Sequence, residues 1–401
     1  MKFKFSDIKE LIKPAYIFLL ISCFFMSMAN HLSLLCTSPL AVSLGASATL
    51  IGIINTAQTV MGFLLTPLSG LSCSKIGAKK MWIITMIIRG IACVCYAFSG
   101  NLAFYCVAQF VRGVGFYLAV AVLSSLIHST VKISILTSGI AISQCMSALA
   151  TVFTPNMYKT LFNQYGPTFT YLVCAALFLA ATIFGLFIKV DNTNVPAKKE
   201  VKKIKTGGGI FSSLICVEAL PVFFAGCFTG CTYHLVNTYG LLWGEISGGD
   251  IVTLMTVYAA CAVFMKFISG VITDMFGVGP ILVVGYLGLV ATQLIIAYCN
   301  QPILFAAAGV LYAIGHSATY PALNSTAAKI TTPERASLAI STYLLSANVS
   351  QIATNVIGGL VADTFGYQTT FVLFAIPPVL GLVIYFTILR KKIACIQKDA
   401  A

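Results

Sequence analysis

Arg112 sits ten residues into an apolar stretch that begins at residue 102. At about 1.5 Å per helical residue this is about 15 Å deep, close to the middle of a bilayer. A guanidinium there costs at least ~2.5 kcal/mol unless it faces water or a partner. Its chemistry is therefore the capture of an anion or a bond to a neighbouring carbonyl. His31, His234 and His316 also lie in apolar stretches, and imidazole, with its ordinary pKa of about 6.5, either moves protons or serves as a neutral hydrogen-bonding group. Asn30, Asn237, Asn348 and Gln351 add hydrogen-bonding groups, and Phe116 and Tyr312 add stacking surface. No Asp or Glu lies deep in any apolar stretch, so a carboxylate proton carrier has no candidate and the histidines take that place. A net positive interior favours an anionic or neutral amphipathic solute over an organic cation.

These residues need elements that can hold them inside a membrane. The chain has 401 residues, 59% hydrophobic and only 9% charged, with a mean hydropathy of +0.95. A soluble domain carries about a quarter charged residues. Twelve stretches are long and apolar enough to span, at 14–37, 49–72, 81–99, 102–126, 134–157, 167–188, 219–243, 251–272, 280–299, 302–326, 337–362 and 368–389. Their lengths predict helices and not barrel strands. The net charge of +13 is explained by position and not by nucleic acid. With both termini in the cytoplasm, every Lys and Arg except Lys159 and the intramembrane Arg89 and Arg112 falls on the inner side. The first stretch is too long for a signal core and is expected to stay as a helix.

The fourteen cysteines form no pattern of metal-ligand spacing, and no metal or other cofactor is expected. Neither paired carboxylates nor a metal-binding His motif occurs within a span, so the chain reads as a non-enzyme. Residues 207–209 are three glycines without the Gly-Lys-Ser/Thr ending of a phosphate loop.

The stretches come in two sets. Shifted by 200 residues, Ser69-Gly70 falls on Ser269-Gly270, Gly77 on Gly277, Gly115 on Gly315 and Tyr165-Gly166 on Phe365-Gly366. Four glycine coincidences exceed the roughly one expected by chance, and internal repeats of this kind are common in transporters. Polar residues recur in matching helices of both sets, at i, i+3 and i+7 spacings that make stripes on one face. The organisation predicted is an N-terminal six-helix half at 1–188, a basic cytoplasmic linker at 189–218, a C-terminal six-helix half at 219–390 and a cytoplasmic tail at 391–401.

Between the second and third stretches, Gly70, Lys75, Gly77, Lys79 and Lys80 resemble the loop signature of the major facilitator superfamily, with Ser74 where that signature carries an acid. The second copy, Gly270, Asp274 and Gly277, keeps the acid and lacks the basic cluster. Gln109 to Gly115 resembles the fourth-helix pattern of the same family, with Arg112 displaced by three residues. Gly139, Ala148 and Thr154-Pro155 retain part of its fifth-helix exporter pattern.

The resemblance covers essentially the whole chain, from the first span to Arg390. It implies an all-α membrane fold of twelve helices in two pseudo-symmetric halves, working by alternating access as a secondary transporter of a small organic solute. Proton-coupled export, as in bacterial efflux members, is the expected activity. Uptake or exchange of an organic anion is the alternative, and a non-transporting receptor is a third reading. Gly70, Lys75, Gly77 and Asp274 are the expected gating positions, with His31 and His316 for coupling. Arg112, His31, Asn30, Phe116, His234, Asn237, His316, Tyr312, Asn348 and Gln351 are the expected substrate positions. The partners expected are the solute and the lipid of the cell membrane, with the protein a monomer.

Overall fold

In hydrocarbon each backbone N–H and C=O must find a partner within its own segment, so apolar stretches of this length fold as helices. The computed structural model describes residues 13–131, 136–189, 215–332 and 335–393. Among the described residues every regular element is helical. The helices are α1 (Pro14–Ser43), α2 (Ala48–Ile76), α3 (Ala78–Ala97), α4 (Leu102–Thr130) and α5 (Leu136–Leu186), then α6 (Leu220–Ser247), α7 (Ile251–Phe276), α8 (Gly279–Tyr298) and α9 (Pro302–Tyr312). They continue with α10 (Thr319–Lys329), α11 (Ala336–Leu373) and α12 (Ile376–Ile384). A π-helical segment, Ala313–Ala318, joins α9 to α10 into one crossing, and a second, Tyr385–Leu389, follows α12.

α5 holds two predicted spans, and α11 holds one and the start of the last, which continues through α12 and Tyr385–Leu389. α5 is broken at Gly166, with φ +82°, and α11 at Gly366, with φ +84°. Only glycine adopts such a backbone without steric cost, so the chain turns there and crosses again. The breaks are dressed alike: Thr170 donates to the Gly166 carbonyl at 2.8 Å and Thr370 to the Gly366 carbonyl at 2.9 Å. Gly77 and Gly277, at φ +93° and +76°, make the paired turns that follow α2 and α7. Twelve crossings in two six-helix halves result, as predicted.

Contacts within the chain form two compact units, Met1–Ala46 with Ala57–Lys202 and Ser47–Thr56 with Lys203–Ala401. In the first, α1 packs on α5, and α3 on α4 and α5. In the second, α6 packs on α11, and α8 on α9, α11 and α12. The first turns of α2 belong to the second unit, where Asp363 accepts from the N–H groups of Ala48 at 2.9 Å and Thr49 at 2.8 Å. A carboxylate at a helix N-terminus satisfies orphan donors and opposes the positive end of the dipole.

Most of the predicted linker and both chain ends lie outside the described residues. At the edge of that region Arg335 donates to Glu218 Oε1 at 2.6 Å and Lys392 donates to the Glu218 carbonyl at 3.3 Å.

Candidate functional site

Arg112 and Phe116 lie one turn apart on α4 and so share a face. Arg112 is only 6% exposed. Its Nη1 donates to Gln58 Oε1 on α2 at 3.4 Å, a long bond, and its Nε has no hydrogen-bond partner. Arg89 reaches the same face from α3. It is 4% exposed, its Nε and Nη1 have no partner, and its guanidinium carbon stands 5.1 Å from the centre of the Phe116 ring and 5.8 Å from that of Phe178. α3 comes this close because Gly115 has no side chain: a Cβ there would lie 2.8 Å from Arg89 Cγ. Nearby, Tyr96 donates to Gln109 and stacks on Tyr171 with ring centres 4.8 Å apart. His31, half-buried on α1, shares a 2.8 Å hydrogen bond with Thr154 Oγ1 on α5. Asn30 is half-buried beside it in sequence.

The second unit builds a different cluster. The Tyr233 ring stacks on His316 with centres 4.2 Å apart, and Tyr258 stacks on Tyr312 at the same separation. Tyr258 Oη and His316 Nδ1 share a 2.9 Å hydrogen bond. Four aromatic side chains from α6, α7, α9 and the π-helical segment thus form one stacked group. His316 projects from that segment, where one extra residue in the turn re-aims the side chains; such turns are frequent at functional sites. His234 Nε2 meets the Ala347 carbonyl on α11 at 3.1 Å. Asn237 is turned back on its own helix, Nδ2 donating to the Tyr233 carbonyl at 2.8 Å. Asn348 and Gln351 are half-buried on α11.

Of the expected gating positions, Gly77 makes its turn and Lys75 is exposed in the last turn of α2. Gly70 and Asp274, with Ser74 and Lys266, lie outside the described side chains. The structure thus brings Arg112 together with Phe116, and Tyr312 with His316, while His31, His234 and Asn237 bond elsewhere. Sequence reasoning missed Gln58 and Tyr258, and it named Arg89 as an intramembrane charge without giving it a role. The signal was present in the repeat: shifting by 200 residues carries Gln58, Arg112 and Phe116 onto Tyr258, Tyr312 and His316.

A family model described as Major Facilitator Superfamily matches residues 17–254 and 222–395. Among solved structures the fold is similar to a mutant of the nucleoside transporter NupG, with a TM-score of 0.80 at 13% identity, over 93% of this chain and 100% of that one. It is also similar to a bacterial homologue of the human lysosomal transporter Spinster in an inward-facing, unoccupied conformation, with a TM-score of 0.74 at 13% identity, over 93% of this chain and 95% of that one. At such identities the likeness is one of fold. No curated protein matches the chain by sequence.

Proposed function

The chain belongs to the Major Facilitator Superfamily, and on that premise we propose that this multi-pass membrane transporter moves a small organic anion across the cell membrane by alternating access. The observation that carries the reading is Arg112: a guanidinium buried near mid-span, with a long hydrogen bond to Gln58, the Tyr96 hydroxyl beside it and an unpartnered Nε. No Asp or Glu occurs between Glu10 and Asp191, so no described residue of the first unit is a carboxylate. A charge this costly to bury needs a counter-charge, and a bound anion supplies it. Phe116, one turn from Arg112 on α4, offers aromatic surface for the apolar part of an amphipathic solute.

Export coupled to protons is the direction we propose, with both termini cytoplasmic and the protein working as a monomer. The inner-side bias of Lys supports that orientation. His316, hydrogen-bonded to Tyr258, and His31, bonded to Thr154, are the groups that can take up a proton during the cycle. Uptake or exchange of the same anion is favoured instead if no proton moves, since no intramembrane carboxylate is available to couple it.

Counterflow in proteoliposomes tests the reading. A labelled organic anion accumulates against an excess of unlabelled anion inside, and Arg112→Ala abolishes the accumulation. An Arg112→Ala protein with undiminished counterflow would overturn the assignment, and binding without any counterflow in the wild type would point to a receptor. A pH gradient then decides coupling: accumulation driven by an imposed gradient supports protons, and indifference to it supports exchange.

A further inference from the structure

Arg89 is a residue the fold has no need to charge. Its counterpart at a shift of 200 is Leu289. Leu289 packs against Gly315 as Arg89 packs against Gly115: a Cβ at Gly315 would lie 2.5 Å from Leu289 Cγ, and one at Gly115 would lie 2.8 Å from Arg89 Cγ. The second half therefore fills this place beneath a helix glycine with an aliphatic side chain. The first half puts a guanidinium there, 4% exposed, with Nε and Nη1 lacking any hydrogen-bond partner.

Phe116 and Phe178 offset part of the cost through their ring faces, 5.1 and 5.8 Å from the guanidinium carbon. They leave the N–H groups unmatched. Arg112, one turn from Phe116 on α4, is a second buried guanidinium with an unmatched Nε. Two buried like charges, one over the Phe116 ring and the other a turn from Phe116 on α4 and near enough to act on the first, in a unit whose described residues include no Asp or Glu, repel each other unless negative charge is shared between them.

We propose that Arg89 and Arg112 together form the anion site of the first half, and that its ligand is a dianion, either a dicarboxylate or a phosphate monoester. Guanidinium groups match the paired oxygens of both chemistries, and their N–H forks bind them bidentately. Arg112 takes the first negative charge and Arg89 the second. Phe116 holds the Arg89 plane until the ligand arrives. The inference rests on the organic-anion reading above and adds to it a second charge and a second binding residue.

The test uses the purified full chain with three probes: succinate, glycerol 3-phosphate and the monoanion butyrate. Thermal stabilisation is followed as each is titrated. The wild type responds to a dianion at lower concentration than to butyrate. Arg89→Leu, which installs the residue the second half already uses, raises the apparent Kd for the dianion at least about tenfold and changes that for butyrate less than about twofold. Arg112→Leu loses both responses. A response to succinate alone or to glycerol 3-phosphate alone identifies which dianion is taken. If Arg89 were only a packing residue, Arg89→Leu would shift the unliganded melting temperature and leave the dianion preference intact, which overturns the proposal. Should Arg89→Leu fail to fold, Arg89→Gln decides: with the charge removed the dianion preference is lost, and its persistence in a folded protein overturns the proposal equally. A wild type that responds to all three probes alike removes the dianion inference alone, and one that responds to none removes the organic-anion reading with it.

Discussion

The two halves place the same pairs of positions in contact and fill them with different chemistry. At one pair the first half has Arg112 and Gln58, joined by a long hydrogen bond, and the second has Tyr312 and Tyr258, stacked 4.2 Å apart. One turn on, Phe116 lies beneath the Arg89 guanidinium while His316 accepts or donates a hydrogen bond with Tyr258. His31 and Thr154 are hydrogen-bonded, while at the corresponding positions a thiol, Cys231, takes the place of the imidazole beside Thr354. The backbone devices are conserved between the halves, down to the Thr170 and Thr370 hydroxyls capping the broken turns. Packing geometry is therefore what the duplication preserved, and the first half became the cationic one while the second became aromatic.

The largest effect that would sharpen this contrast is on the charge itself. Arg112→Ala is expected to lower anion counterflow by about a hundredfold, because the lost partner was a buried charge. Tyr312→Ala at the matching place is expected to cost about tenfold, as aromatic contacts do. Equal losses would erase the proposed division between the halves.

Glycine substitutions probe the shared scaffold. A Cβ at Gly315 meets the Gly285 carbonyl at 2.8 Å as well as Leu289, whereas at Gly115 the closest atoms belong to side chains, Arg89 Cγ and Ile88 Cγ2. Backbone cannot give way as a side chain can, so Gly315→Ala should destabilise by about 1–3 kcal/mol and Gly115→Ala by less. Thermal unfolding of the two variants measures this directly, and the reverse order would break the assumed equivalence of the helix pairs.

Smaller effects follow from single hydrogen bonds. Tyr258→Phe removes the partner of His316 Nδ1 and is expected to cost about 1 kcal/mol in stability. If His316 carries the coupled proton, the pH profile of transport moves as well, and an unmoved profile assigns the proton elsewhere.

Asp363 gives the smallest effect. Partial burial pushes its carboxyl up, but hydrogen bonds from Thr49, Ser47 and Ala48 outweigh this and hold it below the ordinary value. A depressed carboxyl stabilises the fold above its unfolded pKa of about 3.9, and that contribution is lost as the pH falls through the folded value. Asp363→Asn should therefore cost, after solvent screening, no more than about 0.3 kcal/mol at pH 7, and the cost should shrink as the pH falls through the folded value. A loss that is independent of pH would show that the carboxylate does not act as a charged cap.

Much of the fold could be read from the chain because bilayer physics leaves few choices. Apolar stretches of about 20 residues must be helices, and Gly77, Gly166, Gly277 and Gly366 had to mark turns because only glycine takes their backbone without strain. The candidate site was less legible. Arg112 was visible as a charge where charge is costly. Tyr258 and Gln58 were not, since a Tyr or Gln in a span is usually a helix contact, and nothing local separates the two cases. Arg89 was visible as an intramembrane charge, but nothing local gave it a role. Only the repeat, read for chemistry as well as for glycines, would have raised all three.

Composition, charge placement and the 200-residue repeat by themselves determined the membrane, the twelve helices, the two halves and the buried arginine. These depend on local length, on burial cost and on backbone conformation, which each segment carries with it. Tertiary structure alone decided that Arg89 lies over Phe116, that Tyr258 bonds His316, and that Asp363 caps α2 across more than 300 residues of sequence. Those contacts join helices far apart in the chain, and which faces of two helices meet is set by packing that no single segment encodes.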